Sequence, residues 1–164
     1  MSAFLLAAAL TVPTGTPTTD PPPVAVPKTA ESQTGVEASA YTGRYYRPKH
    51  EPYRMCVAQR EGRGNYWGTG SNGLYLGTYQ MTAALASGAV WMMGEELREM
   101  YGDRLGRQIR RELHDTRPTL WHRFYWDMAF YTILNWEGEG NGAKHWRGGR
   151  FHCHLDLDEY GGDR

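Results

Sequence analysis

One segment constrains the fold more than any other: residues 118–136, PTLWHRFYWDMAFYTILNW. As a helix it carries Leu120, Trp121, Phe124, Trp126, Met128, Phe130, Ile133 and Leu134 on almost every side. A helix with no polar face belongs at the centre of a domain, with others packed around it. Its 19 residues approach the length of a membrane span, but His122, Arg123 and Asp127 make insertion costly, so no stable span is expected.

The surrounding sequence supplies the helices to pack around it. Pro52 suits a first helical turn, and YRMCVAQRE runs unbroken until Gly62 and Gly64, which puts Glu61 on the last turn. Residues 65–80 hold Gly68, Gly70, Gly73 and Gly77 among Tyr, Trp and Thr, a composition for tight turns or a short irregular hairpin. Helix resumes with TAALASGAVWMM and EELREMYG, stopping at Gly102. Asp103 then caps DRLGRQIRRELHD, whose Leu105, Ile109 and Leu113 form one apolar stripe against a solvated arginine face. The expected class is mainly α, with a short glycine-rich hairpin or loop lining a cleft.

The ends read differently. Residues 3–12, AFLLAAALTV, have the length of a signal-peptide core but lack the preceding Lys or Arg. A secretory signal and a buried or membrane-associated N-terminal segment both remain open for residues 1–12. Residues 13–40, with PTGTPTTDPPPVAVP at their heart, read as an extended, disordered linker, because large apolar side chains are too few to offset ordering. The folded domain is expected over 41–155, followed by a polar tail over 156–164. Cys56 and Cys153 lie near the two ends of that domain, where a bridge staples nearly all of it in an exported protein; the alternative is two unrelated thiols. The 18 Lys and Arg balance 18 Asp and Glu, so no net field draws the chain to nucleic acid or an anionic membrane.

The chemistry concentrates in residues 56–80, CVAQREGRGNYWGTGSNGLYLGTYQ, which contain a single acid. Apolar or aromatic walls disfavour a charged carboxylate and so equip it to act as a general acid. Tyr66, Trp67, Tyr75 and Tyr79 can provide such walls and also stack on sugar rings. The plainer alternative pairs Glu61 with Arg60 or Arg63.

The run CVAQRE, then GN, a glycine-rich stretch and GTYQ resembles the active-site segment of transglycosylase-like cell-wall enzymes. This lysozyme-like group includes the resuscitation-promoting-factor domains of actinobacteria and related phage lysins. The resemblance implies an α+β lysozyme-like domain in which Glu61 is the catalytic acid. It further implies that Asn65 and the Gly77, Thr78, Tyr79, Gln80 element line the cleft, and that Trp146 near Cys153 belongs to a closing segment. It covers roughly residues 53–153, with the motif-like part in the first quarter. One departure stands out: the family has Ser directly after the catalytic Glu, where this chain has Gly62.

Ordinary glycosidases use two carboxylates, ~5–5.5 Å or ~6.5–9.5 Å apart. After Glu61 the next acid is Glu95, so a one-acid mechanism is the simpler expectation, in which the C6 hydroxyl of N-acetylmuramic acid closes onto its own C1. Asp127, Glu137 or Glu139 brought in by the fold would instead allow hydrolysis. Binding is expected to rest on Asn65 and Gln80 for hydrogen bonds and on Tyr66, Trp67, Tyr75, Tyr79 and Trp146 for stacking. His152, Cys153, His154, Asp156 and Asp158 cluster, but without zinc-site spacing, so no metal is expected, and no cofactor is implied. The expected activity is cleavage of peptidoglycan glycan strands by a secreted or cell-wall-associated monomer. The alternative is a non-catalytic glycan-binding or phage virion module.

Overall fold

The computed structural model describes residues 20–26, 35–149 and 151–157. The segment read as a signal-type N-terminus (1–12), the linker stretches 13–19 and 27–34, and the end of the polar tail (158–164, with Asp158) lie outside the described residues. The described chain is mainly helical, with one small antiparallel sheet.

The elements follow in order: α1 (Glu51–Gly62), β1 (Thr69–Gly70), β2 (Tyr75–Leu76), β3 (Met81–Thr82), α2 (Ala83–Tyr101), α3 (Asp103–Asp115) and α4 (Arg123–Asn135). Helix α4 is the central one, buried at Arg123 and continuously from Tyr125 to Asn135. It starts later than the sequence suggests. Residues 118–120 make a single 3-10 turn, after which Trp121 and His122 are extended, and the His122 ring accepts from the Phe124 amide to cap α4. The break has a cause: Trp121 bridges to Ala25, and its indole donates to the carbonyls of Leu113 and Thr116, both 3.1 Å away.

Helices α2 and α3 pack closely because Gly106 has no side chain. A Cβ there would lie 2.5 Å from the Leu97 carbonyl oxygen and 2.6 Å from the Arg98 backbone. The buried stripe of α3 is Gly106, Ile109 and Leu113, with Leu105 at its edge. Asp103 is inside the helix rather than at its cap, which Gly102 occupies, and its carboxylate pairs with Arg107 one turn on.

The described parts of 13–40 do not behave as a free linker. Val24 and Val26 are buried, Val26 donates to the Leu120 carbonyl, and His122 donates to the Val24 carbonyl. The Tyr125 hydroxyl donates to Pro22 O at 2.7 Å, so even a proline, which has no N–H, is tied through its carbonyl. Residues 35–40 continue this strap: Gly35 donates to Gly64, and Ala40 to Asp127. Proline sets the chain extended, and the two valines supply the apolar contacts that hold it.

Cys56 and Cys153 are bonded, closing a loop of 97 residues with the Cα atoms 5.6 Å apart. In the chain-entropy account a loop of about 100 residues contributes up to ~4.7 kcal/mol.

Candidate active site

The last turn of α1 brings Glu61 to an open cavity of about 360 Å3. Tyr75 and Gln80 come from the sheet region, His145 and Trp146 from the 3-10 stretch Asn141–Trp146, and Ser71, Gly148 and Gly149 complete the wall. Glu61 is the single carboxylate among these lining residues.

Helix α1 ends at Gly62 because Arg63 and Gly64 both turn left-handed, with φ of 52° and 72°. The absence of a side chain at Gly62 also has a local reason. A Cβ there would lie 2.5 Å from Thr78 O and 2.8 Å from Thr78 C, both backbone atoms that cannot swing aside. The position that is Ser in the family resembled above is here a contact between α1 and the β2–β3 turn.

That turn, residues 77–80, carries Gln80 to the wall. Gly77 adopts φ 68°, and a Cβ would strike the Trp126 ring at 2.6 Å. Gln80 is itself left-handed at φ 48°, a costly conformation for a residue with a side chain. Its amide nitrogen donates to Gly77 O at 2.8 Å, and its Oε1 lies over Gly70, so a side chain at position 70 would displace it.

Arg60, whose side chain is 2% exposed, organises the Glu61 side of the cavity. Its guanidinium lies 2.8 Å from Glu61 Oε1 and donates also to the carbonyls of Trp146 and Phe151. One cation thus ties the helix end to the segment that Cys153 anchors. The Glu61 side chain stays 24% exposed, and Oε2 is the oxygen that this bridge leaves over. The plain pairing of Glu61 with Arg60 and its place on a cavity wall therefore coexist. Arg60 was legible as a neighbour of Glu61, but its carbonyl contacts depend on chain brought back from 86 and 91 residues away.

Trp146 presents a wall that cannot shift. Its indole donates to Tyr79 O at 2.9 Å, and its ring lies 4.5 Å from that of Phe130. Only 4% of it is exposed, so it borders the cavity rather than offering an open face. Beside it His145, which residue spacing did not single out, has its pKa lowered by desolvation and then by Lys144, which favours the neutral imidazole.

Other expected binding residues are placed differently. Tyr66 and Tyr79 are fully buried and cannot stack on a ligand. Their hydroxyls donate to Asp127 Oδ1 at 2.9 and 2.5 Å, in the interior of the domain. Asn65 is exposed and outside the cavity wall, its Oδ1 accepting from the Trp67 amide in a local turn. Trp67 is half-buried and likewise absent from the wall. Gly77 shapes the turn without lining the cavity. Of the expected set, the fold brings Glu61, Tyr75, Gln80 and Trp146 together.

The candidate second acids are also elsewhere. Asp127 is buried among Tyr66, Tyr79, Arg54, Arg123 and the Ala40 amide. Glu139 pairs with Lys49 at 2.6 Å, and Glu137 with Lys144 at 3.3 Å. Among the described residues no three His, Cys, Asp or Glu side chains converge as metal ligands, and Cys153 is committed to its disulfide.

Compared with protein-family models, with curated proteins and with solved structures, the chain matches none.

Proposed function

We propose that the chain cleaves the bond between N-acetylmuramic acid and N-acetylglucosamine in bacterial peptidoglycan, as a single-glutamate lytic transglycosylase or lysozyme-like enzyme. The observation that carries this reading is the lone carboxylate of Glu61 on the cavity wall, flanked by Gln80, Tyr75 and Trp146. With Oε1 held by Arg60, Oε2 is left to face the bridging oxygen. Glu61 donates its proton there as the C1–O4 bond breaks. The muramic acid's C6 hydroxyl then bonds to C1 and returns a proton to Glu61, leaving a 1,6-anhydro end and a regenerated acid. Gln80 and Tyr75 hydrogen-bond the sugar, with Trp146 as a flat apolar border. The absence of a second carboxylate from the wall favours this internal closure over hydrolysis, which conventionally uses two.

The disulfide suits an oxidising compartment, so the proposed setting is secreted or cell-wall associated, as a bacterial enzyme or a phage lysin. One observation favours a second reading, a non-catalytic glycan-binding or virion module: the acid is already paired with a cation. The two separate when parent and Glu61→Gln proteins are incubated with purified peptidoglycan and the products analysed by mass spectrometry. Anhydro-muropeptides from the parent and none from the variant support the enzyme. A parent that pellets with cell walls but releases neither anhydro nor reducing ends overturns it.

A further inference from the structure

The Glu61 cavity does not stand alone. His145 lines both it and a second hollow of about 230 Å3, which Met92, Trp136 and Lys144 also border. Met92 and Trp136 in turn line a third, of about 430 Å3, between α2 and α3. Trp91 and Arg110 line that one and a fourth, of about 420 Å3. Each hollow shares a wall with the next, from Glu61 at one end to Trp91 and Arg110 at the other.

The far end is chemically distinctive. The Trp91 indole is 67% exposed, a large apolar surface left to solvent, with Trp136 beside it at 6.0 Å. Around it Glu95 lies 3.6 Å from Arg44, Asp103 takes both Arg98 and Arg107, and Asp115 lies 3.1 Å from the His114 ring. Arg110 has no ion pair among the described residues. Its stem packs over Gly94, where a Cβ would lie 2.7 Å from the Arg110 Cδ, and Arg110 and Trp91 line the same two hollows. A flat apolar ring next to an unmatched cation fits a sugar that carries an acidic group.

We propose that the Glu61 cavity is one end of a polymer track, and that its far end binds an acidic sugar of the same glycan strand, a muramic acid whose lactyl carboxylate is free of stem peptide. Trp91 stacks on the pyranose face, and Arg110 holds the carboxylate. A chain of linked hollows suits a polymer better than a small molecule. With zero net charge overall, and with Asp115 in the same wall as Arg110 and Arg111, the two arginines unmatched among the described residues, a nucleic-acid backbone is poorly served. The choice of a glycan rests on the function proposed above.

The test uses the full chain with Glu61→Gln, so that strands are bound and not cut. Titration calorimetry compares peptide-free peptidoglycan strands, which carry a carboxylate on every second sugar, with neutral chitin oligosaccharides of equal length and with a glycerol-phosphate polymer. Adding Trp91→Ala is expected to weaken binding of the acidic strands about tenfold, with Trp91→Tyr restoring most of it. Arg110→Gln is expected to erase the preference for acidic over neutral strands, with Arg110→Lys recovering part. A disaccharide, too short to reach the far end, binds all variants alike. Equal binding of the acidic strands by parent and both variants overturns the track, as does tighter binding of the phosphate polymer. Cleavage by the chain with Glu61 intact is measured separately. Products released without any Trp91 dependence of binding sink the track alone, and Trp91-dependent binding without products sinks the enzyme alone.

Discussion

Two acids of this chain face opposite circumstances. Asp127 lies in the interior with Tyr66, Tyr79, Arg54 and Arg123 around it, while Glu61 keeps one cation and an open side. In the interior the charges are mutually compensated. Burial by itself would lower the Arg54 pKa, but Tyr79, Glu51 and Asp127 hold it above its ordinary value, and burial beside Asp127 pushes Tyr79 well up. Such a network specifies how α1, the β2–β3 turn and α4 meet. The Glu61 cavity is built on that frame and has polar capacity left for a ligand.

The contrast predicts a graded series. Asp127→Ala removes the shared acceptor of two buried phenols and one of the two carboxylates beside buried Arg54, so it should cost about 3–5 kcal/mol in denaturant unfolding and abolish the native near-ultraviolet signal. A variant within 1 kcal/mol of the parent, roughly the scale of a surface pair, would show the network to be ornamental. Replacing both Cys56 and Cys153 by Ser is expected to cost about 2–5 kcal/mol, read as a drop in the urea midpoint that reductant reproduces in the parent. Gly62→Ser, which restores the residue of the family pattern, should cost about 1–3 kcal/mol, because the new side chain meets Thr78 backbone. Improved stability there would mean that the contact can relax.

Glu61→Gln marks the other side of the comparison. Arg60 keeps the carbonyls of Trp146 and Phe151 and can still donate to the glutamine oxygen, so the change should cost about 1–2 kcal/mol in unfolding, although the proposed activity is lost. The smallest effect is a slope with pH. Desolvation lowers His50, with Lys49 and Arg47 adding to it against Glu139, so the folded state binds its proton less readily than the unfolded chain does. The His50 contribution is fully present above its ordinary value of 6.5 and is lost as the pH falls through the lowered one. At more acid pH Glu51 acts in the same direction. Burial alone would raise its carboxyl, yet hydrogen bonds from Arg54 and Tyr131 bring it below 4.5, and its contribution is lost as pH falls through that lowered value. Urea midpoints should therefore decline from about pH 7 to pH 5, less steeply in His50→Gln.

The helices were legible where periodicity and punctuation agree: Gly102 ends α2, α1 stops between Gly62 and Gly64, and α4 is buried where its composition demands. The cysteine pair was legible from its placement. The aromatic cluster after Glu61 was not, because Tyr66 and Tyr79 look the same in sequence whether they face a ligand or a buried carboxylate. Only Asp127, 61 and 48 residues further on, decides between the two. The docking of residues 20–26 was hidden for a related reason, since proline-rich chain binds through carbonyls whose partners lie about a hundred residues away.

Trp146 adds a consequence for recognition. Because its ring rests on Phe130 and its N–H is committed to Tyr79, that wall is set when the domain folds and surrenders no rotamer freedom when a ligand arrives. Discrimination at this border is consequently by rigid shape: a sugar whose substituents miss the surface must distort or leave, while the protein stays as it is.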